Sequence, residues 1–98
     1  MARSKRSQSK HNSQVRKEAK KLDDQGYKVK ADIPGYQQPN TIGGYRPDYV
    51  GEKGKKRIIG EVETPDSVDI TRDQKQQKAF KQAAKRSDNT SFKRTVTD

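Results

Sequence analysis

The chain predicts a small mixed α/β domain: a helix, three strands, a second helix and a fourth strand. Two observations carry this. Apolar residues recur at helical spacing in two segments and alternate at strand spacing in four others. A short glycine-containing turn joins the second and third strands, so the first three form an antiparallel meander. The helix before the last strand permits a parallel crossover. The result is a small mixed sheet flanked by helices.

Residues 1–10, MARSKRSQSK, are basic and almost free of apolar side chains, and predict a disordered basic arm. Residues 11–98 form the folded domain. From Asn12 to Gln25, Val15, Ala19 and Leu22 fall at i, i+4 and i+7, which gives a helix with one narrow apolar face. Asn12 or Ser13 can cap its start, and Gly26 can end it in a left-handed conformation. Tyr27, Val29, Ala31 and Ile33 alternate with Lys28, Lys30 and Asp32, the pattern of a half-buried strand. Residues 34–44 hold two prolines and three glycines and read as a loop. Tyr45–Gly51 is the second strand, with Pro47 at an edge or bulge because it lacks an N–H. Glu52–Lys56 turns at Gly54. In Arg57–Thr64, Ile58, Gly60 and Val62 face one way, and Ile59, Glu61 and Glu63 the other. Thr71 and Gln74 have capping-box spacing at the start of a helix reaching Arg86, with Gln76, Ala79, Phe80, Ala83 and Ala84 inward. Ser91–Thr97 closes the series as a strand.

The chain has 98 residues, and 23 Lys and Arg stand against 13 Asp and Glu, a formal charge of +10. Only 26% of residues are hydrophobic, so one modest core is expected. Charge of this sign favours an acidic partner, here nucleic acid. The absence of cysteine excludes disulfides and thiolate metal sites and fits a cytoplasmic location. No apolar run approaches the ~20 residues that span a bilayer, so no membrane partner is expected.

Against this basic background three acids stand out. Glu61 and Glu63 share one face of a strand, separated by about 7 Å of rise. The hairpin can bring Asp48 alongside them. Hard divalent cations take oxygen donors, and magnesium often needs one or two carboxylates plus water and substrate phosphate. Lys53, Lys55, Lys56 and Arg57 make a basic hairpin, read as a phosphate clamp beside the acids, and Arg46 adjoins Asp48. The bland readings are a solvated, edge-blunting turn and an arginine paired to a carboxylate. Tyr36 more simply packs its loop than stacks on a base. His11, the one histidine, has no evident catalytic partner.

Pro47-Asp48 followed by Glu61-Val62-Glu63 on the next strand resembles the PD-(D/E)xK, or restriction-endonuclease-like, nuclease superfamily, and the α-β-β-β-α-β order matches that family's core. The resemblance covers about residues 12–97. It implies that Asp48, Glu61 and the Val62 carbonyl bind Mg²⁺ or Mn²⁺, with Glu18 from the preceding helix in support. Most members carry Lys where this chain has Glu63. A minority of active restriction enzymes carry Glu there, so Glu63 could manage the attacking water or a second ion, while Lys75 or Lys78 could supply the missing cation. Gln76 and Phe80 match a Gln-x-x-x-aromatic spacing of some exonuclease-like branches. The expected activity is metal-dependent hydrolysis of DNA phosphodiesters, with a homodimer or protein partner expected where both strands are cut. The competing expectation is a nucleic-acid-binding protein without catalysis, either a degenerate nuclease fold or a basic RNA-associated factor.

Overall fold

A computed structural model describes residues 5–65 and 71–97 of the chain. Helix α1 (Lys5–Asp24) is followed by β1 (Lys28–Ala31), β2 (Tyr49–Lys53), β3 (Lys56–Glu63), α2 (Thr71–Lys85) and β4 (Thr90–Val96). The four strands form one sheet in the order β1-β2-β3-β4. β1 and β2, and β2 and β3, pair antiparallel, while β3 and β4 pair parallel across the α2 crossover. The mixed sheet and the element order are those expected. No helix among the described residues is long and apolar enough to cross a membrane.

α1 is about two turns longer at its start than the apolar pattern indicates. Residues 5–10, expected as a disordered arm, are helical. They bury no apolar side chain, so periodicity gives no sign of them; they extend a helix already nucleated by packing further along. The helix ends as expected. Gly26 adopts φ +88°, the Tyr27 N–H donates to the Leu22 carbonyl at 3.0 Å, and the Gly26 N–H donates to the Asp23 carbonyl at 3.0 Å. Lys53 Nζ then donates to the Gln25 carbonyl at 2.8 Å, placing positive charge at the negative end of the helix.

Val15, Ala19 and Leu22 of α1 pack on Ala31, Ile33, Tyr49 and Val62 on one face of the sheet. On the other face Phe80 of α2 meets Phe92 of β4, their ring centroids 5.8 Å apart, over the buried Ile59. The alternation along β3 therefore sorts its side chains as the sequence indicates.

The second strand starts later than expected, at Tyr49 instead of Tyr45. Pro47 has no N–H to give the ladder and lies buried just ahead of the strand. Residues 42 and 45 instead form a small isolated bridge in the preceding loop. The first strand is likewise shortened, to Lys28–Ala31.

Tyr49 and Gly60 are cross-strand partners, and the Tyr49 ring lies flat over the glycine. A β-carbon at position 60 would stand 1.9 Å from the ring. Both residues are buried, so neither can move aside cheaply. Gly60→Ala is expected to destabilise the fold by at least ~1–3 kcal/mol, the range for overpacking. A urea titration measures it, and an unchanged midpoint would mean that the ring does not occupy that space.

Candidate active site

The acidic residues gather where β3 ends and β2 begins. At that end Pro47 interrupts the β2 ladder, yet β3 continues and its next inward N–H, that of Val62, needs an acceptor. The Asp48 carboxylate supplies one: Oδ2 accepts from the Val62 N–H at 2.7 Å, while the Asp48 N–H donates to the Gly60 carbonyl at 3.1 Å. A buried backbone donor left unmet would cost a large share of a hydrogen bond, so the side chain substitutes for strand. Asp48 is thereby held against the peptide that links Glu61 and Glu63.

The other Asp48 oxygen meets His11. Its Nε2 lies 3.1 Å from Asp48 Oδ1, and the imidazole is 5% exposed. The sequence reading gave His11 no partner; the fold supplies Asp48. The available signal was periodicity, because His11 precedes Val15 by four residues and so continues the buried stripe of α1.

Glu61 is 2% exposed and Glu63 5%, both buried at the C-terminal end of β3. Gln76 Nε2 of α2 donates to Glu61 Oε1 at 2.9 Å. The Gln-x-x-x-aromatic spacing now has a physical content: Phe80 anchors the helix in the core, and Gln76, one turn earlier, reaches the acid. Lys75 and Lys78 do not take that place. Both are exposed, and at about 100° per residue they point away from the face that carries Gln76. A different cation comes into register. Arg94 of β4 lies opposite Glu61 in the parallel pair, half-buried and on the same face of the sheet as Phe92.

Glu18 lies about two helical turns beyond His11, on the inner side of α1. Its Oε2 takes Lys93 Nζ at 3.0 Å and its Oε1 takes Gln14 Nε2 at 3.0 Å. Burial pushes the Glu18 carboxyl up. The hydrogen bond and charge of Lys93, the Gln14 amide and the charge of Lys21 outweigh it, and the group titrates below its ordinary value. The Tyr49 hydroxyl is buried and pushed above the usual phenol range by that burial and by the charges of Glu18 and Asp48.

The basic hairpin lies elsewhere. Lys53, Lys55, Lys56 and Arg57 surround the turn at the opposite end of β3, about 23 Å of strand from Glu63 at the usual rise. They do not form a clamp beside the acids, because a hairpin's turn and its open end are at opposite poles of the sheet. Lys53 is occupied by the end of α1 and stands over the Tyr27 ring, 5.7 Å from its centroid. Arg46 donates to the Pro39 carbonyl and so ties down its own loop. Tyr36 packs against the core, as its bland reading had it.

Among the described residues no three Asp, Glu or His side chains close into a ready-made metal cage. Asp48, Glu61 and Glu63 offer oxygen donors of the hard type at this end of the sheet. Magnesium suits such a set, since it keeps several waters and asks for only one or two carboxylates. No family model, curated protein or solved structure matches the chain.

The Glu18–Lys93 pair makes a stability prediction. A carboxyl whose folded value is depressed contributes stability that is complete above its unfolded value, near 4.5, and is lost as the pH falls through the folded value. Lys93 is about half exposed, which screens the pair, so Lys93→Ala is expected to cost ~1–2 kcal/mol at neutral pH. The cost should shrink below that window. Urea titrations at several pH values measure it, and a pH-independent cost would rule out the ion pair as its source.

Proposed function

We propose that the chain is a metal-dependent nuclease of the restriction-endonuclease-like type, hydrolysing phosphodiester bonds in DNA. The observation that carries this reading is the 2.7 Å hydrogen bond from the Val62 N–H to Asp48, which sets one acid against the peptide between two others. The element order and the parallel β3–β4 pair agree with the core of that superfamily. Two buried carboxylates at the end of one strand are costly in so small a domain, and a bound cation would offset that cost.

In this reading Asp48, Glu61 and the Val62 carbonyl hold Mg²⁺ or Mn²⁺. The ion, when bound, supplies a more acidic water and stabilises charge on the phosphoryl oxygens. The rest falls to the protein. His11 fixes the Asp48 carboxylate from the α1 side. Gln76 fixes one Glu61 oxygen. Glu63, next on the same face, accepts the proton of the attacking water. Oxygen adds to phosphorus, one ester P–O bond breaks, solvent water protonates the departing alkoxide, and the products are a phosphate monoester and an alcohol. Arg94, opposite Glu61, provides the fixed positive charge that the superfamily places at the position of Glu63. A partly buried guanidinium beside developing oxyanion charge is worth more than a fully exposed one.

A second reading has a specific observation in its favour. Both Asp48 oxygens already have protein partners, His11 and the Val62 N–H. A protein that keeps them so would bind nucleic acid without cutting it.

Supercoiled plasmid with Mg²⁺ or Mn²⁺ separates the two. Nicking is expected from the unaltered protein. Asp48→Asn and Glu61→Gln should each lower its rate beyond the ~10–100-fold typical of outer-shell changes around a metal. Arg94→Gln should slow nicking with little change in DNA affinity. Equal nicking by all variants would assign the activity to a contaminant, and salt-sensitive binding without any nicking would favour the second reading.

A further inference from the structure

Beside the acidic end of the sheet a groove of about 520 Å³ runs along the outer side of α1, lined by Ser9, Lys10, Ser13, Gln14, Lys17 and Thr97. Two of its walls belong to the site already described. The Thr97 N–H donates to the Glu63 carbonyl at 2.8 Å, and Gln14 holds Glu18. Lys10 precedes His11. The groove therefore opens next to the acids, at the end of the domain from which the basic hairpin is excluded.

Its chemistry is one-sided. None of the lining residues is acidic, and two are lysines exposed on one helix face. The Ser13 hydroxyl and the Gln14 amide lie between them, and Ser9 just ahead of Lys10. At the rim, Thr97 Oγ1 is buried and has no hydrogen-bond partner among the described residues. A buried hydroxyl without a partner is uncommon, and an anionic oxygen held in the groove would satisfy it. Lys10 and Lys17 are seven residues apart, about 10 Å along the helix, or roughly three nucleotides of one strand at its axial rise.

We propose that this groove is the phosphate-tracking site of the protein: it holds the backbone of a nucleic-acid strand and leads it to the Asp48–Glu61 end of β3. Lys10 and Lys17 neutralise phosphates about three nucleotides apart, and Ser13 and Thr97 donate to phosphate oxygens. The inference takes its substrate class from the function proposed above. A rival basic face exists on the outer side of α2, where Lys78, Lys81 and Lys85 line a groove of about 460 Å³. That face looks away from Gln76 and Glu61.

The test measures binding with a chelator present, so that no hydrolysis is involved. Anisotropy of a short fluorescein-labelled DNA duplex is followed across a salt series for the full chain, Lys10→Gln/Lys17→Gln and Lys81→Gln/Lys85→Gln. Each phosphate-neutralising lysine contributes ~0.9 to the slope of log affinity against log salt. The α1 pair should reduce the slope by about 1.8, which is roughly sixty-fold in affinity at 0.1 M salt, while the α2 pair should leave it unchanged. Thr97→Val, which removes a hydroxyl at constant charge, should weaken binding about tenfold at an unaltered slope. Equal losses from the two lysine pairs would reduce the effect to net charge and overturn the assignment. So would an unchanged slope in the α1 pair or unchanged affinity in the Thr97 variant. If the groove responds as expected while plasmid stays intact with Mg²⁺ and Mn²⁺, this inference stands and the cleavage reading falls.

Discussion

The hydrogen bond between the Val62 N–H and the Asp48 carboxylate organises the acidic end of the molecule. It exists because Pro47 cannot continue the β2 ladder while β3 runs on. A strand that outlasts its partner exposes backbone donors, and in a buried position those must be met. Meeting one with a carboxylate makes a stronger, charge-assisted bond than a carbonyl would. The same choice fixes a negative charge at a defined place beside two more. A packing requirement and a chemical one are thus satisfied by a single side chain.

The surrounding charges follow from that placement. Each acid is approached from a different element: Asp48 by His11 of α1, Glu61 by Gln76 of α2, and Glu18 by Lys93 of β4. Both helices and the last strand are therefore tied to the same end of the sheet. The opposite end is held differently. There the Lys53 side chain caps α1 and covers Tyr27, so a lysine in a basic hairpin contributes mainly to the join between helix and turn. A strongly basic chain does not present its cations uniformly to a partner; several are consumed by helix ends and loop carbonyls, as Arg46 is at Pro39.

Local regularities made much of the fold legible. The alternation in residues 57–64 identified β3 and its faces, and the apolar stripes identified both helices and the Gly26 stop. What depended on long-range packing was hidden. The start of α1 was invisible because residues 5–10 are polar whether helical or not. The shift of β2 to Tyr49 followed from where Pro47 meets the sheet, which spacing alone cannot report. At the site, Asp48, Glu61 and Glu63 could be associated because a hairpin joins their strands. His11 could not, since its partner is 37 positions away by residue number (48 against 11) and belongs to another element. The Lys93–Glu18 pair spans 75 positions and was equally beyond reach. Lys75 and Lys78 were plausible because the helix after β3 could supply the cation missing at position 63, but helical geometry sends them outward.

Burial decides how the two poles can differ in chemistry despite their similar content of charge. Glu61 and Glu63 lie in a poorly solvated pocket of the sheet, where a cation or a donor acts with little screening. The hairpin lysines 55 and 56 are exposed, and their field is weakened by water and salt within about 10 Å. A polyanion held at the hairpin would be attracted but not oriented. Held along α1, it would reach the place where Asp48 and the β3 backbone impose direction. The short path from Lys10 to its neighbour His11 and on to Asp48 links a solvent-facing cation to a partly buried acid through one contact. That continuity between surface charge and sheet end, more than the total of basic residues, makes this pole the chemically active one in the proposed reading.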